Sequence, residues 1–132
     1  MGRKRFILMK PIVLYSDKFL SSISIFMMVG GISLFPFIIL REKYRDGGEW
    51  WVNRGKRTIN HETIHFYQQL ELLIVGFYII YVLFYLINAI KYKFNMQKAY
   101  YAIPFEKEAY NNQDDFEYLS KRKLFAWVKN IF

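Results

Sequence analysis

A chain of 132 residues leaves room for one domain with a modest core, and without a cysteine it has neither a disulfide framework nor a thiolate metal site. Hydrophobic residues make up 54% of it while charged residues hold at 23%, so the apolar residues must be gathered into blocks. The net charge of +8 comes from basic clusters flanking those blocks, a pattern that fits the anionic surface of a membrane and argues against nucleic acid as the partner.

Arg3-Lys4-Arg5 followed by Phe6-Ile7-Leu8-Met9 has the outline of a signal peptide. The apolar run is short and no small-residue cleavage site follows, so residues 1–18 read as a retained basic tail at a membrane surface. From Phe19 to Leu40 the chain carries no charge, which is long enough for a spanning helix. Serines, Gly30-Gly31 and Pro36 interrupt it, and the reading adopted is a helix over 17–29 and a strand over 32–41, with one spanning helix through 19–40 as the alternative. Pro36 confines that strand to a sheet edge or a bulge. Asp46-Gly47-Gly48 signals a turn and Glu49 to Asn53 a short return strand, so residues 1–57 read as a helix plus a β-hairpin. Arg54-Gly55-Lys56-Arg57 reads as a basic loop.

The two histidines of the chain, His61 and His65, lie four positions apart, with Glu62 directly after the first. On an α-helix, positions i and i+4 share a face, so both imidazoles can grip one ion while Glu62 leans over it as a general base. Thr58 is the expected N-cap of this helix. Gln68 shares the stripe of His61 and His65, and Gln68 and Gln69 are expected to hydrogen-bond the loops around the site. Residues 72–90 carry no charge and form the strongest membrane candidate, the second part of a helical segment over 58–94.

After a linker from Phe94 to Ile103, Pro104 suits the first position of a helix whose buried stripe is Phe105, Ala109, Phe116 and Leu119. The last residues, from Leu124, suit a short amphipathic helix at a membrane interface. Catalytic zinc needs three protein ligands and an open position. With histidine and cysteine exhausted, the third must be a carboxylate, and Glu71 is too far along the same helix. Glu106, Glu108, Glu117, Asp114 and Asp115 remain; Glu106 is preferred, at the start of the C-terminal helix beside the small Ala109, with Glu108 left open.

His61-Glu62-Thr63-Ile64-His65 followed by Phe105-Glu106-Lys107-Glu108-Ala109 resembles the gluzincin metallopeptidases, particularly the membrane-embedded prenyl-protein and stress-induced peptidase branch, and the layout also resembles small bacterial membrane-associated proteins with a His-Glu-x-x-His-x-x-Gln-Gln core. The resemblance implies Zn2+ held by His61, His65 and Glu106, with Glu62 as general base, at a bacterial inner membrane. It departs from the family at Tyr110, where an aspartate is usual; Tyr110, Asp114 and Gln68 are then the candidates for supporting the ligands or the oxyanion.

The expected fold class is α+β, predominantly α, in a single membrane-associated domain over 1–132: a short N-terminal β-hairpin, a zinc-binding helix and a ligand helix within 104–132. A continuous helix would carry Ile90 about 37 Å from His65, so Glu106 reaches the histidines only if the apolar segment turns back, and a break at Gly76 would allow that. The expected function is a zinc-dependent metallopeptidase; the alternative is a non-catalytic small membrane protein with a structural or vestigial metal site. Expected partners are a peptide or protein substrate, anionic lipid and, because a full cleft is hard to build at this size, a second copy of the chain.

Overall fold

Residues 10–23 and 30–131 are described by the computed structural model, mostly as helix with one small sheet. The sheet is built from short runs of β-branched and aromatic residues, which suit a pleated, half-buried surface. β1 (Ile12–Tyr15) leads into α1 (Asp17–Ile23), and β2 (Gly31–Leu34) and β3 (Phe37–Leu40) form a hairpin. β3 is central, antiparallel to β2 and parallel to β1, and its Ile38 and Leu40 are fully buried.

The single strand expected over 32–41 is two strands, because Pro36 has no N–H to give a ladder and falls in the turn between them. The spanning alternative through 19–40 falls with it. β1 was not expected, since its partner lies in β3, distant in sequence. The helix over 17–29 is seen to Ile23, and the rest of it lies outside the described residues, as do residues 1–9 of the tail expected over 1–18; the remainder of that tail is β1 and the start of α1.

The return strand expected over 49–53 is the first part of a helix. α2 (Lys43–Asp46) is followed by α3 (Glu49–Glu71), which starts well before Thr58. Gly48, at φ 98°, makes the turn into α3 in a backbone region that favours glycine. Gly55 does not break the helix. It lets Tyr44 of α2 come so close that a Cβ there would stand 2.9 Å from the Tyr44 Cβ. Thr58 is no cap; its hydroxyl donates back to the Arg54 carbonyl at 3.1 Å within the helix.

α3 ends in an elbow. Leu73 and Ile74 have φ of 58° and 67°, and the Ile74 and Leu73 N–H groups donate to the carbonyls of Gln69 and Leu70, the paired closure of a Schellman turn. α4 (Val75–Lys91) leaves at 111° to α3. The break therefore precedes Gly76, which lies inside α4. Lys93 and Phe94 close α4 in the same way, with the Phe94 N–H donating to Ala89. The expected linker then contains α5 (Met96–Tyr101), which returns against α4 and is held there by Asn88 Nδ2 donating to the Ala99 carbonyl at 3.2 Å.

α6 (Pro104–Asn112) begins with Pro104 as expected but stops before Phe116 and Leu119. Asn60 Nδ2 donates to the carbonyls of Asn112, Gln113 and Asp115, taking up the groups that the end of α6 leaves open. α7 (Tyr118–Lys121) and a 3-10 helix (Ala126–Asn130) complete the chain. A core of Phe77, Ile103, Phe105 and Trp127 joins α4, α6 and this last turn. Among the described residues no single helix is long and apolar enough to cross a membrane; α3 and α4 meet that test only as a bent pair.

Candidate metal centre

Two turns of the chain bring α6 back to α3. The elbow swings α4 away from the α3 axis, and α5 returns the chain so that Pro104 starts α6 beside the middle of α3. Glu106, in the first turn of α6, then faces His61 and His65. Its Oε1 stands 3.2 Å from His61 Nε2 and 3.1 Å from His65 Nε2, and the two Nε2 atoms are 3.2 Å apart. All three side chains are buried.

These atoms fit a metal by distance and by chemistry. Donors held tetrahedrally at 2.0–2.2 Å from zinc stand about 3.3 Å from one another. Gln68 fixes the polarity at His65: its Nε2 donates to the Phe105 carbonyl and to Glu108 Oε1, so its Oε1 faces His65 Nδ1 at 2.7 Å and accepts the proton there. His65 Nε2 then points at a carboxylate oxygen, and a positive charge has to stand between the two, either the second proton of an imidazolium or a metal ion. Burial lowers the His65 pKa, but the Glu106 charge and hydrogen bond outweigh it and hold the value at about 9. For Glu106, burial acts to raise the value and the two histidines override it, leaving the carboxyl well below its ordinary range.

On the His61 side the Gln113 amide can stand two ways, and both of its ends are satisfied only when its NH2 faces His61 and its oxygen faces Arg57. With Gln113 Oε1 toward His61 Nδ1 at 2.9 Å, the imidazole proton sits on Nδ1 and Nε2 is free for an ion. With the amide turned over, its NH2 donates to Nδ1 and its oxygen accepts from Arg57 at 2.7 and 3.0 Å. The first arrangement is the one compatible with metal on Nε2.

Glu62 is buried at the same cavity, and burial raises its carboxyl pKa while the histidines oppose the rise. Tyr81, on α4, donates to Glu106 Oε2 at 2.7 Å and so turns Oε1 to the histidines. Tyr110 packs its ring on His61 at 4.5 Å between centroids, while its hydroxyl pairs with that of Tyr100. The cavity is about 460 Å³, and β2 forms one side of it. Gln69 fixes that side, donating to the Ser33 carbonyl at 2.9 Å and accepting from the Phe35 N–H at 3.1 Å.

Four of the five carboxylates that the sequence left open stand elsewhere: Glu117 is exposed, Asp115 pairs with Lys121 at 3.0 Å, and Asp114 and Glu108 are held by arginines. Asp114 is exposed and pairs with Arg57 at 3.0 Å, because α6 has ended before it and no longer carries it on the Glu106 face. Glu108 points away from the histidines and pairs with Arg122, as does Glu71. Sequence reasoning missed Tyr81, Asn60 and Arg122, and Gln113 carried only its place on the Glu106 stripe.

No protein-family model matches the chain, and neither does any curated protein or solved structure.

Proposed function

We propose that the protein is a zinc-dependent peptidase of the kind that His61-Glu62-Thr63-Ile64-His65 resembles, with His61, His65 and Glu106 as ligands. The observation that carries this reading is the meeting of three convergent donors at one wall of a cavity, with Glu62 beside them. A structural zinc site is closed by four protein ligands, whereas a catalytic one keeps a position open. Three donors facing a cavity are the second kind.

When bound, zinc lowers the pKa of its water toward 7 and polarises a carbonyl. Glu62 takes the proton of the attacking water and passes it to the leaving amine; burial, by raising its pKa, brings it closer to the pH at which such transfer is efficient. Gln68 orients His65 through Nδ1, Gln113 would do the same for His61 once its oxygen turns to the ring, and Tyr81 orients the carboxylate.

The test uses the zinc-loaded protein and a set of internally quenched peptides. Glu62→Gln is expected to lower turnover by about 10²–10⁴-fold while leaving one zinc per chain bound. His61→Ala and Glu106→Ala are expected to lose the zinc. Undiminished turnover in Glu62→Gln would remove that residue from the mechanism. Zinc bound by the wild type without turnover on any peptide would favour the non-catalytic metal site.

A further inference from the structure

Among the described residues nothing covers the outer face of α4. Val75, Ile79, Val82, Leu86 and Ile90 recur at three- and four-residue spacing and are each more than half exposed. Leu83 and Ile87, equally exposed, widen the stripe. Isolated apolar side chains at a surface are ordinary, but a stripe running the length of a helix marks an interaction site. The opposite face of α4 is already occupied: Phe77 enters the core, Tyr81 reaches Glu106 and Asn88 holds α5. The apolar surface extends past both ends. Leu73 at the elbow is 85% exposed, and the Phe125 N–H, donating to Glu71 Oε2 at 2.8 Å, sets the exposed Leu124 and Phe125 near it. At the far end Phe94 is 72% exposed.

Charge decides what covers this face. No aspartate or glutamate lies between Glu71 and Glu106, and none follows Glu117. The exposed charges next in the chain to the stripe are Lys91 and Lys93 at one end and, before Leu124, Lys123 at the other, with Lys98 and Lys129 a few residues further along. Arg122 is committed to Glu71 and Glu108. A two-fold contact with a second copy lays the patch against itself, so lysine would meet lysine with no carboxylate between them. A membrane-spanning role fails on length: the 17 residues of α4 reach about 25 Å, short of the roughly 30 Å hydrocarbon core. Its inner face is also buried against protein. A helix lying flat satisfies both features, with aliphatic side chains among the acyl chains and lysines at anionic headgroups.

We infer that the outer face of α4, with the Leu124–Phe125 turn beside its elbow, docks in the plane of an anionic membrane surface. This docking does not depend on the peptidase reading. It sets Tyr81 and the metal centre about one helix diameter, roughly 10 Å, from the lipid.

Because the chain has no cysteine, a single one can carry an environment-sensitive fluorophore without competition. Labelled Val82→Cys is expected to brighten and shift to the blue with vesicles of phosphatidylcholine and phosphatidylserine, while Lys56→Cys, on the N-terminal half of α3, does not. Should Val82→Cys fail to fold, Leu86→Cys on the same face carries the same probe. Lys91→Gln with Lys93→Gln is expected to weaken vesicle binding roughly thirtyfold, with zinc content and circular dichroism unchanged. Equal binding to phosphatidylcholine alone, or a response at Lys56 instead of Val82, would overturn the inference. A concentration-dependent shift at Val82 without lipid would overturn it too, assigning the face to a second copy.

Discussion

Tyr81 touches the candidate metal site only through Glu106, yet it decides which oxygen of that carboxylate faces the histidines. Burial pushes its pKa well above 10, so it remains a donor at every working pH. Tyr81→Phe removes that donor and leaves a buried carboxylate oxygen unpaired. Zinc affinity, read by competition with a chelator, is expected to fall about 10- to 100-fold, as for loss of other groups that orient a ligand. Tyr110→Phe is the contrast: its hydroxyl pairs with Tyr100, so affinity should barely move. Equal affinities for both variants and wild type would remove Tyr81 from this role. The histidines announced themselves by spacing and scarcity, while the exhaustion of other ligands left five carboxylates, among which Glu106 was preferred for its place on the helix. Tyr81 is one of 11 tyrosines and sits in an uncharged run, where only the three-dimensional path of α4 singles it out.

Helix boundaries proved less legible than which side chains would meet, and glycine explains much of the difference. Gly55 reads as a loop residue beside three basic neighbours, but its missing Cβ is a packing feature between α2 and α3. Gly76 reads as the break in the apolar segment, yet the break uses Leu73 and Ile74 in left-handed backbone where a Schellman turn ordinarily has glycine. No local signal marks such a turn when its residue is leucine. The turning back of the apolar segment was still required by the geometry, since Glu106 could meet the histidines in no other way. Gly55→Ala tests the packing account. Alanine gains about 1 kcal/mol of helix propensity, but its Cβ would stand 2.9 Å from Tyr44 Cβ and 3.0 Å from the Tyr44 carbonyl oxygen. Overpacking against backbone costs about 1–3 kcal/mol, so a net loss of up to about 2 kcal/mol is expected by urea denaturation. A stabilised variant would mean that α2 yields freely.

At the scale of the whole molecule, α3, α6 and the C-terminal segment are tied by one buried cation. Arg122, from the C-terminal segment, donates to Glu71 at the end of α3 and to Glu108 in α6. Glu108 in turn holds Gln68, the residue that orients His65. Burial acts to raise the Glu108 carboxyl, but the Arg122 guanidinium overrides it, followed by Tyr118 and Gln68, and its folded pKa lies below the ordinary 4.5. A carboxyl depressed on folding contributes stability that is fully present above about pH 4.5 and is lost as pH falls through the folded value. Arg122→Leu keeps the packing volume but leaves two carboxylates without their cation. Breaking a buried pair in this way costs about 3–5 kcal/mol, a large share of the 5–15 kcal/mol that holds a domain together. In the variant, burial without the arginine raises Glu108 instead of lowering it, so acidification relieves the unpaired charge. The stability gap between wild type and Arg122→Leu should therefore narrow between pH 7 and pH 4.5, measured by urea unfolding at both. A gap of constant size would show that Arg122 acts through its packing and not through its charge.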